Sequence, residues 1–219
     1  SPVAAAMIKS LDDTVGRVVD KIRALGIEKN TLIVFTSDNG GLSYAEDGKR
    51  PENTSNYPLR ERKGSEFDGG LRVPFIFSWP GHISAQTLQH EPIQFIDLYP
   101  TFLQLAGAPQ PDHVLDGVDL SPILFDAQAR LKTRELFWYL PFYSSFNRPS
   151  AVVRRNDWKL IHLLETGECE LYHTGEDIGE QTNISSAHPE LVHELKTLAL
   201  NWLDETDAPR MVPNPEYTP

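Results

Sequence analysis

Apolar side chains set the first element of the chain. Met7, Leu11, Val15, Val18, Ile22 and Leu25 recur at three- and four-residue spacing, which predicts an amphipathic helix over residues 4–25. Pro2 suits the approach to its first turn and Gly26 suits its stop. The run Thr31-Leu32-Ile33-Val34-Phe35-Thr36 is apolar and largely β-branched, as expected of a strand buried on both faces. A helix leading into such a strand points to a parallel α/β sheet. Residues 40–66 are polar and rich in Gly, Pro, Asn and charge, and read as a long loop of the kind that serves a site. A second buried strand is expected at Phe75-Ile76-Phe77-Ser78-Trp79, ended by Pro80-Gly81. A helix follows over 97–106, with Asp97 as its N-cap, Pro100 in the first turn and Gly107 after the end.

Past residue 130 the pattern shortens. Strands are expected at 135–140, 150–155, 158–164 and 169–173, and Asn156-Asp157 and Thr166-Gly167 mark tight connections between them. That is the signature of an antiparallel meander. Residues 189–204 close the pattern with a helix whose stripe is Leu191, Leu195, Leu198 and Trp202. The expected fold class is therefore α/β, with residues 1–130 as part of a sheet flanked by helices. Residues 131–219 are expected to form a small antiparallel α+β subdomain.

Composition adds limits. With 219 residues, 40% hydrophobic and 23% charged, the chain has the makeup of a globular protein with a real core. Its net charge of -11 argues against nucleic acid as a partner and requires any anionic substrate to find a local basic site. Cys169 is the only cysteine, so no internal disulfide forms, and no apolar run approaches the ~20 residues of a membrane span.

Two stretches carry candidate chemistry. Ser37-Asp38-Asn39-Gly40 follows the first strand, at the strand end where ligands gather in open α/β sheets. Asp38 offers a carboxylate and Asn39 an amide oxygen, hard donors suited to Ca²⁺ or Mg²⁺. The alternative is an Asx-type turn that merely closes the strand. The second stretch, Pro58-Leu59-Arg60-Glu61-Arg62-Lys63-Gly64 through Asp68-Gly69-Gly70-Leu71-Arg72-Val73-Pro74, clusters cations beside glycines. Such a cluster can hold an anion through charge-assisted hydrogen bonds. Glu61, Glu66 and Asp68 nearly balance the charge, so a solvated loop is the alternative, with Arg62 a solvated neighbour of Lys63. A hard-cation site and an anion site flanking one loop together suit a sulfate or phosphate ester.

In these residues the chain resembles the formylglycine-dependent (type I) sulfatases of the alkaline phosphatase superfamily. The resemblance rests on Ser37-Asp38-Asn39-Gly40-Gly41 followed by Leu59-Arg60 … Lys63-Gly64 … Asp68-Gly69-Gly70 … Arg72 … Pro74. It extends to Asp97-Leu98-Tyr99-Pro100-Thr101, Asp116-Gly117-Val118-Asp119-Leu120 and the tail Asp157-Trp158-Lys159-Leu160 to Glu170-Leu171-Tyr172. It implies an alkaline-phosphatase-like sheet and sulfuric ester hydrolysis. It implies that Asp38 and Asn39 are one pair of Ca²⁺ ligands, in preference to Mg²⁺, with a further part for Asp38 in deprotonating the nucleophile. It implies that Lys63 contacts the substrate sulfate, as a catalytic and substrate-binding residue. Arg72 also matches, and is expected to brace the loop by a salt bridge.

The resemblance also implies what lies elsewhere. The formylglycine arises from a Cys/Ser-x-Pro-x-Arg motif, and Cys169, in Glu168-Cys169-Glu170, is not that residue. The first pair of calcium aspartates and the leaving-group histidine are expected upstream; Asp12-Asp13 lies within a helix pattern and His82 in a loop. The expectation is a C-terminal portion that works with the N-terminal part of the same enzyme on a sulfate ester, possibly a sulfated sugar. The parent protein is expected in the periplasm or secreted. Phosphoester or phosphonate hydrolysis, and a non-catalytic fragment, are the alternatives. Many relatives carry histidine where Tyr139 and Phe142 stand, so this segment is either a more apolar pocket wall or ordinary core. Asn53-Thr54-Ser55 and Asn183-Ile184-Ser185 fit glycosylation sequons.

Overall fold

The computed structural model describes residues 2–42, 54–144, 146–212 and 214–216. They form two compact units, one of residues 1–38 with 73–133 and the other of residues 39–72 with 134–219. The first unit holds helix α1 (Pro2–Ala24), strands β1 (Ile33–Thr36) and β2 (Phe75–Ser78), and helices α3 (Leu98–Leu105) and α4 (Ser121–Phe125). The second holds the short helix α2 (Asp68–Leu71), strands β3 (Glu135–Leu140), β4 (Ser150–Arg155), β5 (Trp158–Leu163) and β6 (Cys169–His173), and helix α5 (Pro189–Glu205). The division expected at 130/131 falls at 133/134, and residues 39–72 cluster with the C-terminal strands, through the side-chain anchors described below.

In the first unit β1 pairs with β2 antiparallel, Ile33 opposite Ser78 and Thr36 opposite Phe75. The parallel pairing expected here does not occur between these strands. A parallel partner needs a crossover long enough to recross the sheet, usually a helix, and the described part of 37–74 contains only the four-residue α2. Neither strand is fully buried: all four β1 residues are half-buried and Ile76 is exposed. Helix α1 buries none of its residues. Its stripe, with β1, lines an apolar groove of about 420 Å³ that includes Leu11, Val15, Ile22, Ile33 and Phe35.

Asp97 is not a side-chain N-cap. Its buried carboxylate accepts the backbone N–H of Gln94 (2.7 Å) and of Val118 (2.9 Å). Thr101 Oγ1 donates to Asp97 O (2.6 Å) and accepts Leu120 N–H (2.8 Å). The Asp-Leu-Tyr-Pro-Thr and Asp-Gly-Val-Asp-Leu segments are therefore one brace, in which side chains satisfy loop amides that no strand partner reaches.

In the second unit the four strands form an antiparallel meander in the order β3-β4-β5-β6, in register from Glu135 opposite Arg155 to His162 opposite Cys169. Asn156 takes a positive φ of 53° at the β4–β5 turn, a conformation asparagine tolerates. Alternation sorts the side chains. Ala151, Val153, Leu160 and Leu171 face α5 and pack on its Leu195, Ala199 and Leu203. Val152, Ile161, Leu163 and Tyr172 face the other way, onto Phe67 and Leu71 of the α2 segment. Both faces of the sheet are thus covered, and the second cover carries the candidate site. Leu195→Ala should destabilise the protein by about 2–5 kcal/mol, since it opens a cavity in a fully buried cluster. Urea unfolding should show a lower midpoint at unchanged slope; an unshifted midpoint would mean the α5 seam is not a core.

Candidate active site

The turn after β1 is built into the loop that carries Lys63. Gly40 N–H donates to Gly70 O (3.1 Å) and Lys63 N–H donates to Gly41 O (3.3 Å). Asn56 brackets both: its Oδ1 accepts Gly41 N–H (3.0 Å), and its Nδ2 donates to Gly41 O (2.8 Å) and Glu61 O (3.0 Å). The backbones meet too closely for side chains. A Cβ on Gly40 would stand 1.8 Å from Gly69 O, and one on Gly69 would stand 2.2 Å from both Arg60 O and Glu61 O. The glycines of the signature are there for contact between main chains.

The charges of this loop are sorted inward, which overturns the reading of a solvated loop. Arg60 lies 3.7 Å over the Phe67 ring and donates to Glu180 O (2.8 Å) and the Tyr172 hydroxyl (3.2 Å). That hydroxyl donates to Glu170 (2.8 Å); burial and then this carboxylate push its pKa up. Arg62 is buried, with its guanidinium 4.2 Å over the Phe146 ring, and is no solvated neighbour. Glu66 is buried and accepts from Ser65 Oγ (3.2 Å), and burial raises its pKa. Of Arg60, Arg62 and Lys63, only Lys63 is exposed.

The anchor is Asp68. Lys159, 1% exposed, places its ammonium 2.7 Å from Asp68 and 2.7 Å from Glu180, itself fully buried. Asp68 N–H donates to Glu180 Oε2 (2.6 Å), and Arg154 approaches Asp68 at 3.5 Å. Burial alone would raise the Asp68 pKa, but Lys159 and Arg154 outweigh it and hold the carboxyl below its ordinary value. For Glu180 burial wins over Lys159, aided by the Asp68 charge, and its pKa is raised. Arg72 is exposed and braces the loop through its backbone N–H to Asp68 O (2.8 Å), and its charge also favours the ionised Asp68.

Asp38 is exposed, in a bend with Asn39 just past β1. Asn39 is half-buried and leads directly into the Gly40–Gly41 contacts with the Lys63 loop. A carboxylate and an amide oxygen in consecutive positions fit a hard cation but fill only part of its shell of roughly six to eight oxygens. Among the described residues no group of three or more His, Cys, Asp or Glu completes one.

The remaining candidates have these surroundings. Asp13 pairs with Lys9 along α1 (2.8 Å). His82 stacks on Trp79 at 4.2 Å. Cys169 is half-buried 3.6 Å from His162, and burial raises its pKa, the opposite of a reactive thiol. Tyr139 belongs to the α5 core and donates to Pro209 O (2.5 Å), whereas Phe142 is exposed. Asn183 Oδ1 accepts two backbone N–H groups, and Asn53 lies outside the described residues. Sequence reasoning missed Asn56, Lys159 and Glu180 as site supports. A lysine within Trp158–Leu163, a strand otherwise apolar but for His162, was the available signal for one of them.

This arrangement is matched by known proteins. The sulfatase family profile matches residues 3–108, and the profile for the C-terminal region of N-sulphoglucosamine sulphohydrolase matches residues 63–204. The chain belongs to the sulfatase family, with its alkaline-phosphatase-like fold. It is 35% identical to a sulfatase of Formosa agariphila over 94% of this chain and 40% of the relative. Among solved structures it is similar to Ps i-CgsB in complex with k-i-k-neocarrahexaose, with a TM-score of 0.75 and 30% identity over 90% of this chain and 41% of that one. It is similar also to BT4656 in complex with its substrate D-glucosamine-2-N,6-O-disulfate, with a TM-score of 0.68 and 26% identity over 92% and 40%. The chain thus spans about two fifths of the length of these relatives.

Replacing Lys159 by methionine leaves Asp68 and Glu180 buried without their cation. The expected loss is about 3–5 kcal/mol at neutral pH, the usual result of breaking a buried pair from one side. Its pH dependence has a fixed sign. Without Lys159 burial raises the Glu180 carboxyl further and is opposed at Asp68 only by Arg154 and Arg72, so the destabilisation should shrink as pH falls from neutral to acid values and buried carboxylates protonate. Urea midpoints of the two proteins at the two pH values measure this; a pH-independent gap would rule out the carboxylates as its source.

Proposed function

We propose that this chain is the C-terminal portion of a sulfuric ester hydrolase, supplying one pair of calcium ligands, Asp38 and Asn39, and the sulfate-holding cation, Lys63. The observation that carries the reading is the sorting of charge in the loop. Arg60, Arg62, Glu66 and Asp68 are consumed in its internal support, and Lys63 is left exposed on a backbone fixed at Gly41. A cation held this way is preorganised, and preorganised donors are the ones that stabilise charge developing in a transition state. In this reading the Lys63 ammonium binds a sulfate oxygen and steadies the negative charge as the S–O bond to the alcohol breaks. Asp38 and Asn39 hold Ca²⁺, which neutralises sulfate charge when bound, and the formylglycine nucleophile comes from outside this chain. The apolar groove between α1 and β1 is the surface that the N-terminal part of the same enzyme covers. The parent protein's setting in this reading is periplasmic or secreted. The substrate class is a sulfated sugar, since the solved relatives bind k-i-k-neocarrahexaose and D-glucosamine-2-N,6-O-disulfate.

Lys63→Ala in the full-length enzyme should lower turnover by about 10²–10³ with the melting temperature unchanged. Arg62→Ala should instead lower the melting temperature, because Arg62 is buried against Phe146. Near-normal turnover in Lys63→Ala, or loss only through unfolding, would remove Lys63 from the site. Asp38→Ala should raise the calcium concentration needed for half-maximal activity; an unchanged requirement would remove Asp38 from the metal.

A further inference from the structure

Asn56 ties the turn that carries Asn39 to the loop that carries Lys63, and its amide gives donors and acceptor alike to main chain. Oδ1 accepts Gly41 N–H (3.0 Å), while Nδ2 donates to Gly41 O (2.8 Å) and Glu61 O (3.0 Å). The side chain thus pairs with the Gly41 peptide at both of its polar groups, as a partner residue does in an antiparallel ladder. Only an amide can do this: a carboxylate has no donor for the two carbonyls, and an alkyl group has neither donor nor acceptor. Asn56 is half-buried and is itself fixed, since its own carbonyl accepts Leu59 N–H (2.7 Å).

The groups it holds stand on either side of the proposed chemistry. Gly41 lies two residues after Asn39, and Gly41 O also accepts Lys63 N–H, at 3.3 Å. Glu61 lies two residues before Lys63 and has a φ of 62°. That left-handed conformation is rare for a residue with a side chain and persists where the surroundings fix it. A Cβ on Gly41 would stand 2.7 Å from Asn56 Oδ1, so the second glycine of the signature leaves room for this amide.

We propose that Asn56 is a positioning residue that sets the register between the metal-binding turn and Lys63, so that calcium and the Lys63 ammonium engage one sulfate together. Its part is to hold main chain, without touching either ion. The inference rests on the sulfatase reading of Asn39 and Lys63. Its signature is coupling: two sites that share an anion reinforce each other only while their spacing is held, and the reinforcement is reciprocal.

The test uses the full-length protein and inorganic sulfate as the probe. Calorimetry gives the sulfate Kd with and without saturating calcium, and the calcium Kd without sulfate; melting temperatures are recorded alongside. Calcium should tighten sulfate binding by about tenfold in the parent. In Asn56→Ala and Asn56→Asp that factor should fall to about twofold or less, with the calcium Kd within about threefold of the parent. Gly41→Ala should reproduce the loss with Asn56 still in the chain, and it decides the matter if neither variant at position 56 folds. Thr54→Ala removes the bond from Thr54 Oγ1 to Leu42 O (2.8 Å) on the same turn and should keep the full factor, whatever its melting temperature. A purely structural Asn56 would behave as Thr54 does. The full factor in the Asn56 and Gly41 variants, or an equal loss in Thr54→Ala, overturns the positioning role and leaves the sulfatase reading standing. A parent whose sulfate binding ignores calcium, or a Lys63→Ala variant that binds sulfate as the parent does, overturns that reading and this inference with it.

Discussion

The buried ammonium of Lys159, shared between Asp68 and Glu180, is the interaction on which the second unit depends. It joins three segments far apart in sequence: the α2 helix, strand β5 and the stretch after β6. Two carboxylates share one ammonium, and Arg154 and Arg72 add positive charge near Asp68. The opposed shifts of the two carboxyls follow from this. Asp68 has the better share of the cations and ionises readily, while Glu180 is fully buried and resists. Buried ion pairs seldom add much net stability over an apolar core of equal volume. What this one specifies is position: an apolar substitute would let α2 slide on the sheet, whereas an ammonium between two carboxylates fixes it to within a hydrogen bond.

Position matters because the loop has little else to fix it. Its apolar contribution to the sheet is chiefly Phe67 and Leu71, packed on Val152, Ile161 and Tyr172. The rest of its fixation is polar, through Arg60 to Glu180 O and Asn56 to the Gly41 backbone. These contacts surround Lys63 without using it. The chain that makes the cation useful is thus sequence spacing, then glycine close approach, then internal salt links, and finally an exposed ammonium on a rigid main chain.

Much of this was legible in the sequence. Short strand segments set off by the tight connections Asn156-Asp157 and Thr166-Gly167 located β3 to β6, and the Leu191–Trp202 stripe located α5, because each element packs into a core that the chain itself contains. The first unit was read less well for the converse reason. Thr31–Thr36 has the composition of a strand covered on both sides, yet it is half-buried and paired antiparallel with β2. Composition reports the environment a segment is suited to, not the burial it has among these residues. The charged loop was misread through summation: Glu61, Glu66 and Asp68 balance the cations in number, but number does not say which charges face inward. Burial of Glu66, Asp68 and Arg62 depends on partners more than eighty residues away or on rings such as Phe146, and no local pattern encodes them.

The same reasoning separates the invariant from the variable parts of the site. A residue whose geometry is fixed on several sides, as Gly69 is by Arg60 O and Glu61 O, cannot change without moving Lys63. The β3–β4 turn is different. Its brace runs from Asn147 Nδ2 to Phe142 O and through Phe146 against Arg62. Phe137, stacked on Trp202 at 5.0 Å, and Tyr139, bonded to Pro209, keep the strand leading into that turn anchored to α5. The base of the turn is therefore held in register.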